Sequence, residues 1–210
     1  MASRVRLSHI SKSFGNVRAV VDVTLELEAG KVAIIEGPNG SGKSTLLGII
    51  GTLIRPTSGT IDYGKLGRSR DDVRTRLGWL GHDTLCYPDL TGRENIELAA
   101  RLAGVDVDTA WKRSADRFSI GDFGARPMRT GSRGQRQRIA LARALVHQPD
   151  LVLLDEPSTG LDKASVERVE RVVGEEAARG AMVVIITHDT TIARDVKATR
   201  YQMDRGRLSA

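Results

Sequence analysis

Near the start of the chain, apolar and polar residues strictly alternate. In residues 20–28 (VVDVTLELE), one face carries only apolar side chains, namely Val21, Val23, Leu25 and Leu27. This period of two predicts a strand with one buried and one exposed face, which is typical of antiparallel sheets. Short strands near Val5–Leu7 and Thr60–Tyr63, the second after the turn sequence RPTSG, are expected to join it in a sheet.

Three other segments are short and apolar throughout, namely residues 32–35 (VAII), 151–154 (LVLL) and 182–186 (MVVII). Such runs are typical of strands that are buried on both faces of a parallel sheet. A helical pattern follows each of them, at Lys43–Ile50, Lys163–Arg179 and Thr190–Val196. The alternation of buried strands and helices predicts an α/β core.

A long helical stretch separates the first two of these buried strands. Thr91 and Glu94 have the spacing of a capping box at the start of one helix, and Asp108 is expected to cap a second. A third helix is predicted from near Ser132 to Val146. We therefore expect a single domain over residues 1–210, with a core of about 1–84 and 147–210 and a helical subdomain of about 85–146.

Composition narrows the choice of compartment and partner. The 210 residues carry a formal net charge of +6, which favours anionic partners: nucleic acids, nucleotides or an anionic membrane surface. A single cysteine excludes an internal disulfide and indicates a reducing compartment. The N-terminus has no apolar signal core, and no apolar run approaches the roughly 20 residues of a membrane-spanning helix. We expect a cytoplasmic protein, with any membrane attachment made through a partner.

The first buried strand leads into a glycine-rich loop with the sequence GPNGSGKST. Four residues separate Gly37 from Gly42, and Lys43 and Ser44 follow, which is the spacing of a phosphate-binding loop. Lys43 is expected to bridge the β- and γ-phosphates of ATP, Ser44 to bind Mg²⁺ and Thr45 to contact the α-phosphate. The predicted nucleotide-binding residues of this loop are Gly37, Pro38, Asn39, Gly40, Ser41, Gly42, Lys43, Ser44 and Thr45.

Acidic and histidine side chains follow the other two buried strands. Asp155 and Glu156 are expected at the carboxyl edge of the sheet, where α/β folds bind their ligands. Asp155 is suited to hold Mg²⁺, and Glu156 to polarise an attacking water as a general base. His188, after the third strand, is expected to bond the γ-phosphate and orient that water, with a purely structural histidine as the alternative.

Residues 131–145 (GSRGQRQRIALARAL), followed by LLDEPSTGLD and ITHD, resemble the nucleotide-binding subunit of ATP-binding-cassette (ABC) transporters, over nearly the whole chain. The signature motif of that family is more usually Leu-Ser-Gly-Gly-Gln, so Gly131 and Arg133 depart from it. The resemblance implies an ATPase with a P-loop NTPase core: a mostly parallel sheet, an antiparallel β subdomain and an inserted helical subdomain. It also implies a homodimer, or a pair of cassettes, that forms on ATP binding.

The resemblance assigns further roles residue by residue. The residues of the signature motif, in which the serine and the backbone of the glycine face the γ-phosphate of the partner's ATP, are Ser132, Arg133, Gly134 and Gln135. Asp162 links the two sites of the dimer, and Phe14 stacks on adenine, with a core phenylalanine as the alternative. Three arginines further along the helix that Ser132 caps are interpreted as solvated or paired with acids: Arg136, Arg138 and Arg143.

His82 stands where most relatives carry a glutamine that contacts Mg²⁺ and water and senses the membrane partner. A histidine there makes the coupling sensitive to pH. The sequence GHD…LTGREN and the SRGQ variant of the signature motif resemble those of the ATP-binding subunit of haem exporters of cytochrome c maturation.

The function implied is that of an ATP-hydrolysing motor, peripheral on the cytoplasmic face of the membrane, that drives a separate integral membrane permease. A non-transport relative acting on ribosomes or DNA is one alternative, and a nucleotide-binding regulator without turnover is another. The chain has one cassette and no coiled-coil insertion, so nucleic acid is not an expected partner.

Overall fold

The computed structural model describes residues 3–187 and 197–209. The strands of this part are β1 (Arg4–Phe14), β2 (Val17–Glu28), β3 (Val32–Glu36), β4 (Ser58–Asp62), β5 (Leu77–Leu80), β6 (Leu151–Asp155), β7 (Met182–Ile186), β8 (Ala198–Asp204) and β9 (Arg207–Ser209). Its α-helices are α1 (Lys43–Ile50), α2 (Arg70–Thr75), α3 (Gly92–Leu102), α4 (Val107–Phe118), α5 (Arg133–Ala144) and α6 (Lys163–Ala178). None of these helices is long and apolar enough to cross a membrane. The predicted helix Thr190–Val196 lies outside the described residues.

A six-stranded sheet with the order β5-β6-β7-β3-β8-β9 forms the centre of the fold. Strands β5, β6, β7, β3 and β8 run parallel, and β9 runs antiparallel to β8 at the edge. The three predicted buried strands are β3, β6 and β7, which are neighbours in the middle of the sheet. Every residue of β6 and β7 is buried. The prediction of an α/β core with a mostly parallel sheet is confirmed, because these strands expose neither face to water.

The hydrophobic pattern does not predict β5, β8 or β9. Strand β5 has four residues and includes Gly78, and β9 has three residues. Strand β8 buries only Met203, and its other residues are exposed or half-buried. Such short or polar strands have no apolar run and no clean alternation, so a sequence pattern cannot separate them from loops.

A separate antiparallel sheet has the order β2-β1-β4. The predicted apolar face of β2 is buried, while the intervening Asp22, Thr24 and Glu26 are exposed. This sheet and α1 form one apolar core against one face of the central sheet, through alternate strand residues such as Ala33 and Ile35 of β3. Val32 and Ile34 of the same strand belong to the second core, which helices α3 to α6 complete on the opposite face.

Helices α3, α4 and α5 lie between β5 and β6, in the stretch predicted to be helical. The capping box of α3 is confirmed, because the Glu94 amide donates to Thr91 Oγ1 at 3.1 Å and the Thr91 amide donates to Glu94 Oε2 at 2.7 Å. The predicted cap of α4 was wrong. Asp106 caps that helix by accepting from the Thr109 amide at 2.8 Å, and Asp108 lies inside the first turn.

The earlier start of α4 has a packing reason. It brings Val107 into the first turn, where this side chain packs against the apolar core. A helix that began after Asp108 would leave Val107 outside the helical face. The subdomain boundaries near residues 84 and 146 stay a prediction.

Candidate functional site

The loop between β3 and α1 is shaped by three glycines in backbone conformations that other residues rarely adopt. Their φ angles are 146° for Gly37, 78° for Gly40 and 105° for Gly42. A β-carbon at Gly37 would lie 2.1 Å from the carbonyl oxygen of Met203, and one at Gly42 would lie 2.1 Å from that of Ala19. The loop therefore passes so close to β2 and β8 that no side chain fits at these two positions.

A C-terminal hairpin made by β8 and β9 braces this loop, a feature that the sequence reasoning missed. The Gly206 amide donates to the Ser41 carbonyl at 2.9 Å, and the Gly206 carbonyl accepts from the Val21 amide at 2.8 Å. Glu36, at the end of β3, accepts from Gln202 Nε2 at 2.8 Å and also pairs with Arg200. The glycine in the turn sequence DRGR was the one local signal for a tight connection here.

Lys43 begins α1 and is buried, although it is charged. Its Nζ donates to the carbonyl oxygens of Gly37 at 2.8 Å and Pro38 at 2.9 Å. Both acceptors are uncharged backbone groups of the loop itself. The ammonium charge is thus held at the loop and remains available to a phosphate in the cleft.

Asp155 and Glu156 lie at the carboxyl edge of the sheet, as predicted. Asp155 is 8% exposed, and burial raises the pKa of its carboxyl, to which the neighbouring charge of Glu156 adds. The Ser44 hydroxyl and electrostatic interactions with His82 and Lys43 lower that pKa. The structure therefore brings Ser44, Asp155 and His82 together.

The pairing of a hydroxyl with a carboxylate fits a magnesium ion. Mg²⁺ prefers oxygen ligands and is usually held by one or two protein groups together with substrate phosphates. Ser44 and Asp155, which interact beside the phosphate loop, supply such a donor set.

Glu156 has an unusual backbone. Its φ angle is 51°, in the left-handed region, and its amide donates to the Ile186 carbonyl at 2.9 Å. Non-glycine residues in this region cost free energy and cluster at functional sites. The conformation turns the chain sharply after Asp155, so that two consecutive residues both line the same cleft.

These groups line one cleft of about 1180 Å³. Its wall also includes residues from the β1–β2 hairpin, from the segment after β5, from α5 and from the loop after β6, namely Val17, Arg18, Ala19, His82, Asp83, Thr84, Arg133, Arg136, Gln137 and Thr159. Ligand clefts in proteins commonly measure about 300–1,000 Å³, so this one has room for a nucleotide. The sequence reasoning missed the hairpin residues, which carry no motif, and Thr159, which lies in LLDEPSTGLD but was given no role.

The structure rejects one of the two alternatives for Phe14. This residue is 50% exposed, so it is not a core phenylalanine. Lys12 Nζ lies 4.9 Å from the ring centroid, and Phe14 pairs in register with Val17, which lines the cleft. The ring therefore stands at the rim of the cleft.

The predicted site residue His188 lies outside the described residues. Asp162, also a predicted site residue, does not line the cleft. Asp162 caps α6 by accepting from the Ser165 amide at 2.8 Å. The Ser165 side chain and then this amide lower the pKa of the Asp162 carboxyl. In the single chain, the contact of Asp162 is thus a helix cap.

The signature segment forms the start of α5. Ser132 caps this helix as predicted, and Gln135 completes a capping box, with distances of 3.2 Å and 2.9 Å. Ser132 is exposed and does not line the cleft of its own chain, whereas Arg133 does. The interpretation of Arg138 as solvated or paired with an acid was wrong, because its guanidinium donates to the Ser119 carbonyl at 3.1 Å and covers the Phe123 ring at 4.7 Å.

A buried parallel strand, a glycine-rich loop, a helix and a neighbouring strand that ends in carboxylates together define a P-loop nucleotide-binding fold. The family model described as "ABC transporter" matches residues 20–159. The chain belongs to the ABC transporter family. Its predicted resemblance to this family is confirmed.

Similar proteins include several kinds of ABC ATP-binding subunit. The cytochrome c biogenesis ATP-binding export protein CcmA 2 of Cupriavidus metallidurans is 38% identical over 167 residues, covering 78% of this chain and 79% of that protein. The lipoprotein-releasing system ATP-binding protein LolD of Bacteroides fragilis is 33% identical over 211 residues, covering 95% and 98%. The predicted resemblance to haem exporter subunits is thus confirmed as one of several.

Solved structures of the family share the fold. A dimeric bacterial ABC transporter cassette has a TM-score of 0.87 and 28% identity, covering 98% of this chain and 97% of that one. A dimeric post-hydrolysis state of an ATP-binding cassette, bound to ADP and Pi, has a TM-score of 0.86 and 28% identity over the same shares.

Proposed function

We propose that the chain is the ATP-hydrolysing motor subunit of an ABC transporter. The observation that carries the proposal is the meeting, in one cleft, of a glycine-shaped loop, the buried Lys43 and the carboxylates of Asp155 and Glu156. Each has a defined task in phosphoryl transfer. The family and a related cassette solved with ADP and Pi support the same reaction.

Each residue of the cleft has its own proposed task in ATP hydrolysis. The loop amides and Lys43 bind the β- and γ-phosphates and stabilise the charge that develops on them. Ser44 and Asp155 would hold Mg²⁺, which supplies neutralisation of phosphate charge when bound. Glu156 accepts a proton from the attacking water. His188 is proposed to orient that water.

Replacing Glu156 with glutamine tests the reaction. Glu156→Gln removes the base and leaves the loop and Lys43 untouched, so ATP should bind as before while phosphate release falls at least about a hundredfold. Glu167→Gln, on the exposed side of α6, removes the same charge away from the cleft and should hydrolyse ATP like the wild type. Unchanged hydrolysis by Glu156→Gln would remove this residue from the mechanism.

Two copies are proposed to close on ATP, with Ser132 and the Gly134 backbone of one chain facing the γ-phosphate bound by the other. The dimeric state of the similar cassette and the exposed position of Ser132 support this arrangement. Lys43→Ala and Ser132→Arg should each be inactive as homodimers. In a mixed dimer both lesions fall in one site, so mixing should restore turnover or one occluded ATP per dimer. A mixture with neither, despite proven subunit exchange, contradicts the arrangement.

An integral membrane permease is the proposed partner, which places the chain on the cytoplasmic face of the membrane. His82 is proposed to couple the cleft to it, since the next residues expose the apolar side chains of Leu85 and Tyr87. His82→Ala should lower permease-stimulated hydrolysis more than basal hydrolysis, and an equal loss of both would argue against coupling. Haem export is one proposed task. Two proteins similar to this chain are named for cytochrome c biogenesis and for lipoprotein release. Identifying the permease that copurifies with the chain would decide between these transport tasks.

A further inference from the structure

The ring of Phe14, at the rim of the cleft, carries a cation. Lys12 Nζ lies 4.9 Å from the ring centroid, inside the distance of about 6 Å at which the face of an aromatic ring attracts an ammonium. Lys12 is half-buried, whereas Phe14 is 50% exposed. Because an ammonium over a ring occupies one face, the exposure of Phe14 leaves the other face for a second partner.

Lys12 differs from the other cations that lie over rings in residues 3–187 and 197–209. Those cations are arginines that also pair with a carboxylate or donate to a backbone carbonyl, and their rings are buried or half-buried: Arg93 over Trp111, Arg117 over Phe118 and Arg138 over Phe123. Lys12 Nζ has no hydrogen bond and no ion pair to any residue that the structure describes. The Phe14 ring is thus the group that holds this ammonium.

The backbone on either side of Lys12 is irregular and braced. The pairing of β1 with β2 shifts register between Ile10 and Lys12 and again between Lys12 and Ser13. Irregularities of this kind re-aim a side chain and are frequent next to active sites. Thr57 ties down both neighbours of Lys12, because its amide donates to the Ser11 carbonyl at 2.8 Å and its hydroxyl accepts from the Ser13 amide at 3.1 Å. The strand therefore presents the ammonium to the ring from a fixed backbone position.

We propose that Lys12 is a positioning residue for the base of the nucleotide: its ammonium holds the Phe14 ring in one orientation, with the free face turned to the base. The inference rests on the proposed function, in which this cleft binds ATP, and on the predicted stacking of Phe14 on adenine. Phe14 pairs in register with Val17, which lines the cleft, so the ring is held at the cleft entrance. A ring that is already oriented loses less conformational entropy when a base stacks on it. Lys12 thus acts on the base through Phe14, without a contact to the phosphates.

The test titrates MgADP and magnesium pyrophosphate, which carries two phosphates without ribose or base, by isothermal titration calorimetry. Lys12→Met keeps the length of the side chain and removes its charge, so it should weaken MgADP binding by about threefold to fivefold and leave pyrophosphate binding unchanged. Lys12→Arg should restore the MgADP affinity, because a guanidinium also binds the face of a ring. Phe14→Ala should weaken MgADP binding by about tenfold or more. In the Phe14→Ala background, Lys12→Met should cause no further loss, because the ring through which it acts is gone.

Lys31→Met is the matched control, since Lys31 is an exposed lysine that does not line the cleft, and it should bind both ligands like the wild type. A wild type that binds neither ligand contradicts the proposed function itself. A wild type that binds, with Lys12→Met or Phe14→Ala unchanged towards MgADP, overturns only this inference. An equal loss of MgADP and pyrophosphate affinity in Lys12→Met also overturns it, and so does a loss that persists in full without the Phe14 ring, because the ammonium would then act on the phosphates directly or through the fold.

Discussion

Two glycines of the phosphate loop differ in the room around them. Replacing each with alanine should separate the free-energy cost of backbone strain from that of a steric collision. Gly40 and Gly42 both have positive φ angles, of 78° and 105°. Apart from its chain neighbours, no atom of the described residues lies within 4 Å of a β-carbon built at Gly40. A β-carbon built at Gly42 lies 2.1 Å from the Ala19 carbonyl oxygen and 2.9 Å from Met203 Cε. Gly40→Ala therefore meets backbone strain alone, and Gly42→Ala meets strain and a collision.

The structure sets the magnitudes. A non-glycine residue with positive φ costs about 1–2 kcal/mol, which is the whole expectation for Gly40→Ala. Overpacking against fixed neighbours adds about 1–3 kcal/mol, and the neighbour here is strand backbone, which cannot rotate away as a side chain end can. We expect Gly42→Ala to destabilise the native conformation of the loop by a total of about 3 kcal/mol. If the loop moves to relieve the collision, nucleotide affinity should fall more than about a hundredfold.

Calorimetric titration with MgADP measures the affinity, and thermal unfolding without nucleotide measures the free energy of the fold. Gly40→Ala should bind within about tenfold of the wild type. Gly42→Ala should bind much more weakly, or unfold at a clearly lower temperature if the loop holds its shape and the strain remains. The reasoning is refuted if the two variants match in both affinity and melting temperature, because contact with β2 would then have no energetic consequence.

Three further predictions concern caps and buried groups. Asp106→Ala should destabilise the fold by about 1 kcal/mol in chemical denaturation and Asp108→Ala by much less, because only Asp106 accepts the Thr109 amide; equal losses would refute this assignment. Burial raises the pKa of Cys86 to about 11, so alkylation at pH 8 should be roughly a hundredfold slower than in the denatured chain, and equal rates would refute burial. Burial also raises the pKa of Asp155, so its negative charge lowers the stability of the fold above that pKa and has no such cost below the ordinary carboxyl range. With a chelator present, Asp155→Asn should therefore melt at a higher temperature than the wild type at pH 7 and at the same temperature near pH 3. A gain in melting temperature that is independent of pH would be evidence against the desolvation cost.

Much of the fold follows from the sequence because its burial is extreme. Strands β3, β6 and β7 are buried on both faces, so their segments are apolar throughout, and β2 alternates because one face is exposed. The capping boxes of α3 and α5 are equally legible, since a cap depends on residues within one turn. At α4 two aspartates compete as caps, and the choice depends on how Val107 packs, which no local pattern contains.

The residues of the candidate site also fall into two groups, those that a local motif predicts and those that long-range contacts bring to the cleft. Lys43, Ser44, Asp155 and Glu156 belong to contiguous motifs whose place is set by one strand each, and the structure brings them into one cleft. Arg133 and Arg136 are different, because their place in the cleft wall depends on how α5 is oriented against the loop at Gly160. That orientation arises from contacts between segments that are distant in sequence, and the bracing of Ser41 by Gly206 arises in the same way.

The brace on the phosphate loop has a consequence for the order in which the site is assembled. The loop occupies residues 37–42, yet its closest backbone neighbours are Ala19, Met203 and Gly206. Contacts between such distant segments close late in folding, since the chain entropy of a long loop must be overcome first. During synthesis, β2 leaves the ribosome before the phosphate-binding sequence, but β8 and the turn at Gly206 leave it long afterwards. A nascent chain that stops before β8 thus carries the complete motif and no competent site, so nucleotide binding reports that the whole central sheet has formed.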